Sequence, residues 1–202
     1  MKEHLIVFTR YPEPGKTKTR LIPALGAQGA ADIQRQMTEY TVSQAKELQN
    51  LRSVSVEVRY DGGNRQLMQD WLGYDIVCRS QGKGDLGSRI ARSHQFAVKT
   101  GIDYVVIIGT DCPRLNAEVM AQAFQQLHLA HDLVLGPALD GGYYLIGLSR
   151  LLPELFMGID WGTAEVLQQT VVIAQQLKLS IAYLTPLADV DRPEDLSMLN
   201  RD

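Results

Sequence analysis

Apolar residues along this chain fall into two patterns. Short, nearly unbroken runs alternate with longer stretches in which apolar side chains recur at near-helical spacing. The runs "HLIVFT" (4–9), "SVSVEVRY" (53–60), "YDIVCR" (74–79), "DYVVIIGT" (103–110), "DLVLGPA" (132–138), "GYYLIGL" (142–148) and "SIAYLT" (180–185) read as strands. Helical spacing covers 27–49, 64–72, a stretch ending near Lys99, 116–128 with Asn116 as N-cap, 150–157, 163–178, and a last helix from Pro193 preceded by Asp191 or Arg192. Strands alternating with helices predict an α/β protein, a three-layer α/β/α sandwich around a mixed, mainly parallel sheet. The run at 103–110 is Val- and Ile-rich throughout, as expected of a strand covered on both faces. The strands at 132–138 and 142–148 lie too close for a helical crossover, so one of them is expected to be reversed. No repeat, low-complexity segment or linker divides the chain, and one domain over 1–202 is expected.

Composition narrows the class. The chain is 45% hydrophobic and 21% charged with net charge −3, a balance that gives no general attraction to nucleic acid or membrane. No run approaches the ~20 apolar residues of a membrane helix. The N-terminal apolar core, Leu5 to Phe8, is too short for a secretion signal. Cys78 and Cys112 show neither metal spacing nor a disulfide framework, so a reducing cytoplasm is the expected compartment. His4, His94, His128 and His131 are scattered and read as surface or packing residues.

In α/β sheets, ligands sit beyond the carboxyl ends of the strands. The loops that qualify are 10–20, 61–64, 80–88, 110–115 and 138–142. The first, "FTRYPEPGKTKTRL" (8–21), concentrates cations in an acidic protein: Arg10, Lys16, Lys18 and Arg20, with Lys2 upstream. Pro12 and Pro14 stiffen it and Gly15 allows a close backbone approach. Lysine is a mobile point charge and arginine a planar fork, so together they suit a phosphate-bearing anion; a solvated basic loop is the plain alternative. The loop lacks P-loop spacing. In "QGKGDLGSR" (81–89), Lys83, Asp85 and Arg89 sit among glycines that can present backbone N–H groups to phosphate ahead of a helix.

Acidic residues supply the other half. Asp111, in "IIGTDCPRL" (107–115), lies just past the most buried-looking strand. That position suits a ligand of Mg²⁺, which takes one or two carboxylates and completes its shell with water and phosphate oxygens; a helix-capping Asp is the alternative. Cys112 reads as a buried filler. In "GPALDGGYYLIG" (136–147), Asp140 precedes Gly141 and Gly142, a hairpin signal that also allows close ligand approach, and Tyr143 and Tyr144 suggest stacking surfaces. In "LADVDRPEDL" (187–196), Asp189 and Asp191 are spaced to face the same way and can supply a second metal ligand, whereas Glu194 and Asp195 suit a helix N-terminus.

These motifs, in this order and spread over nearly the whole chain, resemble a bacterial family of GT-A-like transferases, also called nucleotide-diphospho-sugar transferases, of DUF2064 type. Where that family often has Trp-Ser-Thr, this chain has Trp161-Gly162-Thr163, which removes any hydroxyl role at 162. The resemblance implies a spore-coat-polysaccharide-like, GT-A-like fold. It also implies Mg²⁺ or Mn²⁺ at Asp111, which lacks a second Asp two residues on because position 113 is proline. A distant ligand, Asp189 or Asp191, must then complete the site. The first loop would cradle the phosphates of a nucleotide or nucleotide-sugar donor through Arg10, Gly15, Lys16, Lys18 and Arg20, with Lys83 and Asp85 assisting. Asp140 would orient or deprotonate the hydroxyl of a small acceptor. The expected activity is glycosyl transfer. The alternatives are nucleotidyl transfer to a phosphorylated small acid, as in the similar phospholactate guanylyltransferases, and nucleotide binding without catalysis.

Overall fold

The first strand, β1 (Glu3–Arg10), explains the unbroken apolar runs. Leu5 and Val7 point to one side of the sheet, Ile6 and Phe8 to the other, and each pair joins a separate buried cluster. The computed structural model describes residues 1–199. On the Leu5 side lie α1 (Ile22–Leu51), α2 (Arg65–Leu72) and α4 (Ala117–His128), which contribute Leu48, Met68 and Phe124. On the Ile6 side lie α3 (Leu86–Lys99) and α5 (Val166–Gln176), which contribute Ile90 and Ala174. The strand β4 (Tyr104–Ile108) divides in the same way, Val106 and Ile108 from Val105 and Ile107. Two-sided burial removes any need for polar alternation.

Seven strands form one sheet. Besides β1 and β4 these are β2 (Val54–Asp61), β3 (Val77–Ser80), β5 (Leu133–Pro137), β6 (Tyr143–Leu148) and β7 (Ile181–Tyr183). Their spatial order is β3-β2-β1-β4-β6-β5-β7. All run parallel except β6, which lies between β4 and β5 and is antiparallel to both. The three-layer, mainly parallel architecture holds, as does the reversed strand at 132–148. Because β6 is reversed, the 138–142 turn lies at the carboxyl end of the parallel strands. The order changes direction around β1, with β2 on one flank and β4 on the other, which places the ligand crevice over the ends of β1 and β4.

Some boundaries differ from the pattern reading. The third strand begins at Val77, because Tyr74 is exposed and Asp75 pairs with Lys46 instead of joining the ladder. The stretch at 150–157 forms only a 3₁₀ turn, Pro153–Phe156, which starts on Pro153 and ends before Gly158 at positive φ. The stretch at 163–178 is helical over Val166–Gln176, and the segment from Pro193 is a 3₁₀ turn to Met198. The first helical run starts earlier than 27, at Ile22, and is broken at Gly26 (φ 70°, ψ 170°). Asn116 caps α4 as expected, its side chain accepting from the Val119 N–H at 2.9 Å.

The amino end of the sheet is closed by a buried acid. Glu3 accepts from Arg52 Nε at 3.0 Å and Nη2 at 2.6 Å, and meets His128 Nε2 at 2.6 Å, joining β1 to the end of α1 and the end of α4. Burial alone would raise the Glu3 pKa, but Arg52 and His128 hold it below the ordinary value of 4.5. A carboxyl with a lowered native pKa adds stability above its unfolded value and loses it as pH falls through the native one. Glu3→Gln is therefore expected to lower unfolding free energy at pH 7 by roughly 1.5–3 kcal/mol. Urea titrations should show that difference shrinking steadily as pH drops below 4.5.

Candidate active site

An open cleft of about 1010 Å³ lies over the carboxyl ends of β1 and β4. Its walls come from the first loop, the segment 109–112, the 138–142 turn, residues 161–164 and the strap 188–192. The strap is tied down by its backbone. The Leu187 N–H donates to Pro137 O at 3.0 Å, the Leu139 N–H to Leu187 O at 3.1 Å, and the Val190 N–H to Asp111 O at 2.9 Å.

Charged groups converge here. Lys18 is only 5% exposed, and its Nζ lies 2.6 Å from Asp111 Oδ1 and donates to Val190 O at 2.6 Å. Asp111 itself is 54% exposed and faces the cleft. Arg20 pairs with Asp191 of the strap. The strap turn is closed by Asp195, which accepts from the N–H groups of Asp191 at 3.1 Å and Arg192 at 2.8 Å, as its N-terminal position suggested. Asp140 also lines the cleft, and its Oδ1 accepts from the Gly142 N–H at 2.8 Å. Asp189 is pushed above the usual aspartate range, first by burial, then by the negative charges of Asp140, Asp111 and Asp191. Burial, together with the charges of Asp111, Asp189 and Asp140, raises the Cys112 thiol as well, so it stays protonated and serves as core filler.

Other sequence-derived candidates lie elsewhere. Gly15, Lys16 and Lys83 do not line the cleft. Lys16 pairs at 2.7 Å with Glu13 on the surface, three residues away, because the turn between them directs both side chains outward. Lys2 sits at the opposite end of the sheet, its N–H donating to Asp103 at 2.7 Å. Asp85 borders the cleft, but its carboxylate caps α3 by accepting from the Ser88 N–H at 2.7 Å. Tyr143 and Tyr144 do line the cleft, but the Tyr144 ring is buried with its hydroxyl donating to Thr185 O, and the partly buried Tyr143 packs edge-on to Trp161 at 6.4 Å. The freedom of Gly141 (φ 92°) serves packing, since a side chain there would meet Ala164 O at 2.1 Å.

One lining residue, Gln34, escaped the motif reading, and two that it named, Arg89 and Arg10, meet at the end of β2. Gln34, from α1, is buried beneath the cleft and donates to Thr9 at 3.2 Å and Thr38 at 3.1 Å. Arg89 pairs with Asp61 at 3.0 Å and donates to Gly84 O at 2.9 Å, which fixes the 81–89 loop to the end of β2. Arg10 shares Asp61 at 3.7 Å.

The donor set suits a divalent cation. Among the described residues no three His, Cys, Asp or Glu side chains form a ready cage. Asp111 and Asp189 nevertheless lie near enough to repel, and Mg²⁺ commonly takes one or two carboxylates and fills its remaining positions with water and phosphate.

Residues 42–163 match the family model described as "Uncharacterized protein conserved in bacteria (DUF2064)". This chain belongs to that family. A crystal structure from Desulfovibrio desulfuricans G20, provisionally named a nucleotide-diphospho-sugar transferase, is 35% identical with a TM-score of 0.91, covering 100% of this chain and 87% of that one. The DUF2064 chain thus has the fold of that nucleotide-diphospho-sugar transferase. More distant structures share the fold alone. The 4-diphosphocytidyl-2C-methyl-D-erythritol synthase of Anaerococcus prevotii DSM 20548 is 10% identical, TM-score 0.65, covering 98% of this chain and 95% of that one. The glucosyl-3-phosphoglycerate synthase of Mycobacterium tuberculosis, in complex with Mg²⁺ and UDP, is 14% identical, TM-score 0.58, covering 97% and 74%. No curated protein matches the chain.

The raised Asp189 carboxyl makes a signed prediction. Its charge costs native stability at neutral pH, and that cost fades as pH falls through the raised native pKa and is gone below 3.8. Asp189→Asn should therefore raise the melting temperature of the metal-free protein at pH 7. Thermal scans down to pH 4 should show the gain shrinking.

Proposed function

We propose that this chain is a metal-dependent transferase that binds a nucleotide or nucleotide-sugar donor and passes the glycosyl group to a small acceptor. The observation that carries the reading is the meeting, in one cleft over β1 and β4, of the cations Arg10, Lys18 and Arg20 with the carboxylates Asp111, Asp140 and Asp189. Arg10 and Arg20 are the solvent-facing cations of that wall and would grip the donor's phosphates. Asp111 and Asp189 would hold Mg²⁺ or Mn²⁺, whose chemistry is to neutralise charge on the leaving phosphate. Asp140, with Oδ1 fixed by Gly142, keeps its second oxygen for the acceptor hydroxyl, which it would orient or deprotonate.

A second reading, nucleotidyl transfer from a nucleoside triphosphate to a phosphorylated small acid, is favoured by a different observation. The chain spans 95% of the cytidylyltransferase-type synthase of A. prevotii, but only 74% of the glucosyl synthase. The readings differ in the bond broken. Glycosyl transfer releases a nucleoside diphosphate, and nucleotidyl transfer releases pyrophosphate. A thermal-shift screen of nucleoside diphosphates, triphosphates and nucleotide-sugars with and without Mn²⁺ identifies the donor, and ³¹P NMR of the products then separates them. Stabilisation by none of these would sink both readings.

Arg20→Ala is expected to weaken nucleoside-diphosphate binding by about 1.5–3 kcal/mol while sparing the bare nucleoside. Lys16→Ala, at a surface pair outside the cleft, should change neither. Calorimetry with both ligands checks this, and equal losses for nucleotide and nucleoside would move the phosphates elsewhere.

Asp140→Asn should leave donor affinity within about twofold and cut turnover roughly 100-fold or more. A joint fall in donor and metal affinity would make Asp140 a metal ligand instead.

A further inference from the structure

We infer that Lys18 is a built-in counter-cation, occupying the carboxylate cluster of the ligand-free protein and making divalent-cation binding depend on an arriving polyphosphate. The inference rests on the metal site proposed above and concerns what guards it.

Lys18 is placed unlike a surface phosphate ligand. Its side chain is 5% exposed although it belongs to a loop, and Thr17 before it and Leu21 three residues on are buried. Its backbone takes the left-handed conformation (φ 46°, ψ 43°), rare for a residue with a side chain, and this aims the stem inward. Two of the three ammonium protons are directed, one at Asp111 Oδ1 and one at Val190 O, each at 2.6 Å. The third remains for an oxygen from the cleft.

Charge accounting gives this position its meaning. Arg20 answers Asp191 and Lys18 answers Asp111, while Asp140 and Asp189 have no cation at ion-pair distance among the described residues. The leftover charge would draw a divalent cation, but Asp111, exposed at the strand end, already has one oxygen engaged by an ammonium. A cation alone must compete with Lys18 for that oxygen. A polyphosphate changes the balance: entering through the third proton, its oxygens compete with Asp111 Oδ1 for the Lys18 charge and release that oxygen to a cation. Polyphosphate and divalent cation then bind with positive coupling, and linkage makes that coupling reciprocal.

The test is a Mn²⁺ titration of the whole protein followed by loss of the free-ion EPR signal, with no nucleotide present, repeated with inorganic pyrophosphate and corrected against a protein-free titration, because pyrophosphate itself chelates Mn²⁺. The proteins are wild type, Lys18→Met, Lys18→Arg and Lys18→Gln. Lys18→Met should bind Mn²⁺ alone at least about tenfold more tightly than wild type, because a unit charge beside a ligand has been removed. Lys18→Arg, which keeps the charge, should stay near wild type. Pyrophosphate should tighten Mn²⁺ binding in wild type, and much less in Lys18→Met. Lys18→Gln can still donate to Val190 O without the charge and stands in if the methionine variant does not fold. If wild type takes Mn²⁺ with pyrophosphate but the neutral variants bind Mn²⁺ alone no more tightly than wild type, the counter-cation role is wrong and Lys18 is an ordinary phosphate ligand or a scaffold residue. If no variant takes Mn²⁺ under either condition, the metal reading itself fails, and this inference falls with it.

Discussion

One ammonium group joins the three parts of the chain that make the cleft. Lys18 belongs to the loop after β1, Asp111 to the loop after β4, and the Val190 carbonyl to a strap near the end of the described chain. Those segments are far apart in sequence and share no helix or strand. Taking a lysine out of water is costly unless its charge is paired and its protons find acceptors, and here Asp111 and Val190 O answer the charge and two of the three protons. The same requirement therefore draws the segments together, and the Val190 N–H bond to Asp111 O sets their spacing from the backbone side. The cleft walls are thus held in place before any ligand arrives.

The two ends of the sheet are built to opposite rules. At the amino end, Glu3 is buried and matched by Arg52 and His128, so charge and hydrogen bonds are balanced. At the carboxyl end, Asp189 is half-buried among like charges and its ionisation is disfavoured. Charge is balanced at the end away from the cleft, and the unbalanced charge lies where a ligand can balance it. Functional sites commonly carry such unrelieved cost.

Much of this was legible in the sequence, for identifiable reasons. The runs at 4–9 and 103–110 announced two-sided strands because burial on both faces leaves no polar alternation. The short gap between 132–138 and 142–148 announced a reversal because no crossover fits in it. Asp111 stood out because a strand end in a parallel sheet has a known address. Side-chain direction on loops has no such periodicity. Lys16 and Lys18 are two residues apart, yet one turns to the surface and the other to the interior, a difference made by the left-handed backbone at Lys18. Gln34 sits inside a long helix whose pattern gives no hint that its polar face meets Thr9 and Thr38 beneath the cleft.

The reversed strand has a consequence for how such a protein can change. A turn between antiparallel neighbours is the cheapest place to add chain, since each doubling of loop length costs only about 0.6 kcal/mol. Here that turn overhangs the cleft, and its tip residue Leu139 is 70% exposed, while Gly141 is wedged against the start of α5. Extra residues at the tip would grow outward over the Asp140 side of the cleft without disturbing the β5–β6 ladder or the cation-bearing wall opposite. What the cleft admits on the Asp140 side can therefore diverge by the length of one hairpin, while the cation-bearing wall stays as it is.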